Sequence, residues 1–209
     1  MKAEQIIFDF DGVILDSHKI KTKTFYDLFT EYGFNIAKQV KLYHLQNSGI
    51  SRKIKFKYIY KNILKKKLTQ NNIIYLSKKF SSYSRKEILK LRVSENLLIF
   101  LKKFYKKIDL YISTGTPQRE IEHILKKKNL IKYFKGVHGS PKKKIQHIKK
   151  IKRNKKKTIF VGDSFEDYIS CKKTNTKFIL KIHSENKKIF SNYKGLKIVD
   201  FKNFKKFIL

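Results

Sequence analysis

The chain has 209 residues, 41% of them hydrophobic, which suits one core domain plus an insertion. Its longest apolar run is five residues, Leu97 to Leu101, so a membrane span is excluded on length, and no signal-peptide pattern is read. A lone cysteine, Cys171, rules out an intramolecular disulfide and fits a reducing cytoplasm, while 51 Lys and Arg against 16 Asp and Glu leave a net charge of +35.

Residues 4–9 read as a short buried strand that runs into Asp9-Phe10-Asp11-Gly12-Val13. Side chains at i and i+2 of an extended segment point the same way, so Asp9 and Asp11 face one site. Two anions there repel unless a cation or proton sits between them. Residues 18–92 carry helical spacing and no convincing strand. Phe25, Leu28, Phe29 and Tyr32 form one stripe, Ile54, Tyr58, Ile59 and Leu64 a second, and Ile73, Leu76 and Phe80 a third. Gly33 and Gly49 punctuate these helices.

From Ser94 the rhythm changes. Ser94 is placed as the cap of a helix through Phe104. Leu110 to Ser113 reads as a strand, 117–128 as a helix, and Val137 as a short strand. A helix over 141–151 follows, with Ser140 as cap and Pro141 as first helical residue. Then come a strand from Thr158 to Val161, a helix over 165–173, an extended run from Lys177 to Ile182, and a last strand from Lys197 to Val199. Asp200 is placed as the cap of a terminal helix. Alternation of this kind predicts an α/β fold with a doubly wound, Rossmann-like parallel sheet, and ligands there bind beyond the carboxyl ends of the strands.

The polar motifs fall at those ends. Asp163, Glu166 and Asp167 follow the strand ending at Val161, and in so acid-poor a chain two carboxylate clusters at two strand ends suggest an oxygen-ligated Mg²⁺ site. Thr114-Gly115-Thr116-Pro117 follows the strand at Ile112. Thr114 offers a hydroxyl, and Gly115 an N–H at a helix start, which together form a phosphate cradle. The plainer reading of this turn is that Thr116 caps the helix begun by Pro117, and Ser113 is the neighbouring alternative to Thr114. Gly139-Ser140-Pro141-Lys142-Lys143-Lys144 supplies a lysine at a helix start.

Taken in order, Asp9-x-Asp11-Gly12-Val13, Thr114-Gly115, Lys144 and Gly162-Asp163-Ser164-Phe165-Glu166-Asp167 resemble the four motifs of the haloacid dehalogenase-like hydrolase superfamily. The chain looks like its phosphatase branch with an inserted α-helical cap, over essentially the full length. The resemblance implies a core of residues 1–16 and 93–209 and a cap of 17–92. It implies Asp9 as the nucleophile that forms an aspartyl-phosphate and Asp11 as general acid and base. It gives Asp9, the Asp11 carbonyl and Asp163 as Mg²⁺ ligands, with Asp167 binding through water or orienting Lys144. Thr114, Gly115 and Lys144 would hold phosphate, with Lys143 or Lys142 as alternatives to Lys144. Gly49-Ile50-Ser51-Arg52 resembles the substrate-specificity loop, which would set Arg52 over the site; the plainer reading is an N-cap at Ser51 and a solvated arginine. His18, where the cap begins, reads as solvated or near the site, and Glu166 as a surface acid. Ser170-Cys171-Lys172-Lys173-Thr174-Asn175 departs from the small residues and Ala-Gly turn usual after the fourth motif, and Cys171 reads as a buried helix residue.

The implied activity is Mg²⁺-dependent hydrolysis of a small phosphorylated metabolite, such as a sugar phosphate or a phosphoglycolate-like acid, in the cytoplasm, by a monomer or weak dimer. A phosphomutase similar to β-phosphoglucomutase is the alternative within the family. A basic binder of nucleic acid or another polyanion on an inactive fold is the alternative outside it. Against the latter, the lysines are dispersed and share A/T-rich codons with the equally abundant Ile, Asn, Phe and Tyr, so no dedicated nucleic-acid partner is expected. One asymmetry stands out: residues 32–86 hold 14 Lys and Arg and no acid, so that segment should attract anions.

Overall fold

The computed structural model describes residues 3–154 and 156–208. Six parallel strands form one sheet in the order β3-β2-β1-β4-β5-β6. They are β1 (Gln5–Phe8), β2 (Asp109–Pro117), β3 (Gly136–Ser140), β4 (Thr158–Gly162), β5 (Lys177–Lys181) and β6 (Lys197–Ile198). The chain starts in the middle of the sheet and winds outward both ways, so the crevice at the carboxyl end of β1 is the topological switch point. Ile6, Ile7 and Phe8 are all fully buried, as a central strand covered on both faces requires. Ile6 and Phe8 face one apolar cluster with Phe100, Phe134, Phe201 and Phe204; Ile7 faces another with Phe160, Ile148 and Leu180. Register pairs Phe8 with Ile112 on one side and with Val161 on the other, so β1 and β4 end at nearly one level while β2 runs on past them to Pro117.

Helices α1 (His18–Leu28), α2 (Phe34–Gln46), α3 (Arg52–Tyr58) and α4 (Gln70–Lys90) precede β2, and α3 continues into a π-helical turn, Ile59–Ile63. They enclose a third apolar cluster of Phe25, Leu28, Phe29, Val40, Phe56, Ile59, Tyr60, Leu76 and Phe80. The end of α4 leaves it, and Ile88 packs into the sheet's own core. The expected stripe of Ile54, Tyr58, Ile59 and Leu64 is met only in part: Ile59 is buried and Leu64 packs against the cluster, but Ile54 and Tyr58 are exposed, with Lys55 and Phe56 buried on α3 instead. Tyr58 instead stacks flat on Tyr43 of α2, ring centroids 4.0 Å apart.

Helix α5 (Glu95–Phe104) leads into β2, and α6 (Gln118–Lys127), α7 (Lys144–Ile151) and α8 (Phe165–Lys173) follow it. Three boundaries differ from the sequence reading. Strand β2 runs four residues past Ser113, through a register irregularity opposite β3, so Thr116 caps nothing and α6 starts at Gln118. Ser140 ends β3 instead of capping a helix, and α7 begins only at Lys144, because Ser140-Pro141 belongs to the strand exit and Lys143 takes the cap position. The C-terminal helix is a single 3-10 turn, Phe204–Phe207; Asp200 Oδ1 accepts the Lys202 N–H at 2.9 Å and closes a local turn instead. Ser94 sits at the cap of α5 without a side-chain bond. Among the described residues no helix is long and apolar enough to cross a membrane.

Candidate active site

Asp9 is the first residue beyond β1, held there by its N–H donating to the Val161 carbonyl at 2.9 Å. Its carboxylate is buried. Oδ2 lies 3.0 Å from Lys144 Nζ, and Oδ1 has no hydrogen-bond partner. The same ammonium donates to Asp167 Oδ1 at 2.5 Å. Lys144 is thus the lysine brought to the site, and Lys142 and Lys143 are not its contacts. Burial works against the charge on Lys144, but Asp167 and Asp9 outweigh it and hold the ammonium well above its ordinary range. Burial, with three other carboxylates near, raises Asp9 well above its usual value, and Lys144 opposes that rise only in part.

The second acidic strand end supplies Asp163 and Asp167. Ser164 and Asp167 form a reciprocal cap on α8: Asp167 N donates to Ser164 Oγ at 3.2 Å, and Asp167 Oδ2 accepts from Ser164 N at 3.1 Å. With both oxygens so engaged, Asp167 fixes Lys144. Asp163 is buried, and its main-chain carbonyl accepts from Asn186 Nδ2 at 2.8 Å. Burial and the neighbouring Asp167 push its carboxyl up to about 8. Oxygens of Asp9, Asp163 and Asp167 all lie within 4.8 Å of one another. Three crowded, buried hard donors, one with an orphaned oxygen, fit a divalent cation such as Mg²⁺, and Asp9 offers that oxygen although its Oδ2 meets Lys144.

Asp11 faces the cavity with Asp9 but is held differently. Its Oδ1 accepts from Ser17 Oγ at 2.6 Å, and its Oδ2 is bound by Lys21 Nζ and by Thr116 Oγ1 at 3.1 Å. Burial would raise its carboxyl; Lys21 and the two hydroxyls overcome that and leave it below the ordinary carboxylate range. Lys21 also donates to Thr116 at 2.8 Å. Thr114 is buried beside the cavity, its Oγ1 accepting the Thr116 N–H at 3.2 Å, and Gly115 lines the same cavity. Gly115 lies in the end of β2, three residues before α6, so its N–H is not at a helix start.

The loop before α3 reaches this point. A Cβ on Gly115 would come within 2.7 Å of the Gly49 carbonyl, so only a glycine lets the two loops meet. Gly49 itself has φ +82, and a side chain there would strike Ser164. Ser51 sits at the cap position of α3, as the plainer reading had it, without a side-chain bond, but Arg52 is not solvated. Arg52 Nη2 donates to Glu120 Oε1 at 2.7 Å and Nη1 to Ser81 Oγ at 2.7 Å, with the guanidinium 4.4 Å from the Phe80 ring centroid. Arg52 also lines the cavity between the helical unit and the strand ends, shared with Asp9, Asp11, Lys21, Phe25, His44 and Lys55.

Sequence reasoning missed four groups here. Lys21 and Lys55 carry no signal among 51 basic residues. His183 Nε2 lies 2.9 Å from Asp163 Oδ2, and its ring stacks on His18 at 4.0 Å. His18 is therefore packed against the site's edge, with Nδ1 2.6 Å from Asp16. Asn186 anchors the Asp163 backbone. His183 and Asn186 follow β5, the next strand end, which is where a search could have looked. Glu166 is half-buried, and Cys171 is a buried thiol, pushed up by burial.

Known structures share the architecture. A Haemophilus somnus 129PT protein described as a predicted phosphoglycolate phosphatase superposes with TM-score 0.77 at 16% identity, covering 100% of this chain and 99% of that one. A predicted phosphatase from Clostridium acetobutylicum gives 0.76 at 17%, covering 100% and 99%. β-Phosphoglucomutase from Clostridium difficile gives 0.73 at 17%, covering 98% and 95%. No curated protein sequence matches the chain. The profile of the haloacid dehalogenase-like hydrolases matches residues 6–181, from the first residues of β1 through the end of β5, and the chain belongs to that family.

Proposed function

We propose that the chain is a Mg²⁺-dependent phosphatase acting on a small phosphorylated metabolite through an aspartyl-phosphate on Asp9. The observation that carries this reading is the Asp9 carboxylate: buried at the switch point, lining the cavity, braced by Lys144, and with no hydrogen-bond partner for Oδ1 among the described residues. Residues 17–92 act as the cap over a core of 1–16 and 93–209. When bound, Mg²⁺ would be held by Asp9, the Asp11 carbonyl and Asp163, and supplies positive charge between the nucleophile and the phosphate.

The chain's own groups do the rest. An Asp9 oxygen attacks phosphorus, its bond to the leaving oxygen breaks, and the leaving alcohol takes a proton from Asp11. Water then attacks the aspartyl-phosphate, Asp11 accepts its proton, and Asp9 and inorganic phosphate are released. Paired with Lys21, Asp11 is stored as the base of the second step; to act first as acid it must gain a proton as Lys21 and Thr116 let go. Lys144, with Thr114 and Gly115, holds the phosphate oxygens, and Lys144 opposes in part the burial that disfavours the ionised form of Asp9.

The test is phosphate release from a panel of phosphomonoesters, with Mg²⁺ and with chelator. Release should require Mg²⁺ and vanish in Asp9→Asn, which is nearly isosteric. Release that survives chelator, or persists in Asp9→Asn, refutes the mechanism. An isomeric sugar phosphate as product in place of free phosphate moves the chain to the phosphomutases.

A further inference from the structure

The ion pairs around the cavity leave one cation over. Asp9 has Lys144, Asp11 has Lys21 and Glu120 has Arg52, while Asp163 Oδ2 meets His183 Nε2, an imidazole whose burial works against its charge. Lys55, on α3, also lines the cavity and is buried, yet among the described residues no carboxylate reaches its ammonium. Its one hydrogen-bond partner is His44 of α2, with Lys55 Nζ 2.8 Å from His44 Nδ1. The nearest ring, Phe25 of α1, lies 5.2 Å from Nζ and also stacks on His44. The helical unit cannot supply the missing anion from residues 32–86, which contain no acid. An unpaired buried ammonium is strongly disfavoured unless something compensates it.

We propose, building on the phosphatase reading above, that the substrate carries a second anionic group on its alcohol portion, a carboxylate or a second phosphate, and that Lys55, positioned by His44, receives it. The phosphoryl group sits at Asp9 and Lys144 on the strand ends, and the second anion sits across the cavity on the helical unit. The protonation of Lys55 agrees with an awaited anion. Burial, and then Lys21 of α1 and Lys144 of α7, bring its ammonium down to about 7, while Asp11 and Asp163 from the core pull the other way. Burial, with Lys55 and Lys21, keeps His44 neutral, so that its Nδ1 can accept. Arrival of an anion restores full protonation, so binding takes up a proton near pH 7.

Two matched pairs of esters test this: 2-phosphoglycolate against 2-hydroxyethyl phosphate, and fructose 1,6-bisphosphate against fructose 6-phosphate. The first varies a carboxylate and the second a phosphate. Steady-state kcat/KM is measured on the wild-type chain with Mg²⁺. Affinity is measured by calorimetry on Asp9→Asn, with and without Lys55→Met, in two buffers of different ionisation enthalpy. The dianionic partner of at least one pair should be preferred about tenfold or more, with proton uptake on binding, and Lys55→Met should bring that ratio close to one and abolish the uptake. Equal handling of both pairs, or a preference that survives Lys55→Met, overturns the assignment. Lys55→Met removes a buried charge for a side chain of similar length, so a melting temperature no lower than wild type separates recognition from folding. Absence of phosphate release from all four esters and from p-nitrophenyl phosphate defeats the phosphatase reading, while the calorimetric ratio still decides the role of Lys55.

Discussion

Arg52 and Glu120 join the helical unit to the sheet, and their energetics can be worked out from geometry. Both side chains are almost fully buried, 5% and 7% exposed. Arg52 of α3, Ser81 of α4 and Glu120 of α6 close a ring of bonds, because Ser81 Oγ also donates to Glu120 Oε2 at 2.6 Å. Removing one partner of such a pair strands the other charge in a dry site, which typically costs ~3–5 kcal/mol. Arg52→Met and Glu120→Leu should each destabilise by about that amount at pH 7. The double variant replaces both charges with apolar groups and should lose at least ~2 kcal/mol less than the sum of the singles. Urea unfolding at fixed m-value reads all three. The coupling should depend on pH with a definite sign. Burial raises the Glu120 carboxyl, but Arg52 more than offsets it and leaves it below 4.5. A carboxylate with a depressed folded value contributes its stability above the unfolded value and loses it as pH falls through the folded one. The coupling should therefore be full at pH 7 and fade below about pH 4.5. Single variants within ~1 kcal/mol of wild type, or strict additivity, would show that the pair is solvated or independent and would refute the argument.

Three further outcomes are expected. Lys55→Met should stabilise the free protein at pH 7, and the gain should shrink as pH rises toward 10.5, because the unfolded chain binds the extra proton over that range; melting curves at pH 7 and 9 check this, and a lower melting temperature for the variant at pH 7 contradicts it. Asp163→Ala should raise the Mg²⁺ concentration needed for half-maximal phosphate release about tenfold or more, with Tm preserved or increased because a crowded buried carboxylate is gone; an unchanged Mg²⁺ titration argues against Asp163 as ligand. Gly115→Ala should impair turnover by pushing the Gly49 loop off the strand end, and wild-type kcat/KM in that variant would show the approach is slack.

The order of elements was written in the chain itself. Apolar triplets such as Ile6-Ile7-Phe8 and Ile159-Phe160-Val161 have the hydrophobicity of strands buried on both faces, and the acids following each strand lie at the carboxyl ends where the sheet topology places ligands. Two acidic clusters could be read because Asp9 and Asp163 each follow a strand directly and Asp167 lies in the first turn of the helix after β4, and acids are rare enough here to stand out. Lysines are not. Lys144 was reached through a motif's spacing even though the helix start inferred around it was three residues early. Lys21, Lys55 and the burial of Arg52 depended on contacts that have no local signature: Lys21 meets Thr116 across 95 residues, and Arg52 meets Glu120 across 68. Of the helical stripe at Ile54, Tyr58, Ile59 and Leu64, the last two pack inward as expected, but apolar spacing could not show that Lys55, rather than Ile54, turns inward. Periodicity records which face of an element avoids water. Which charges then share that buried space is decided only when distant segments pack, since pairing energy in a low-dielectric cavity depends on separations that no spacing along the chain encodes.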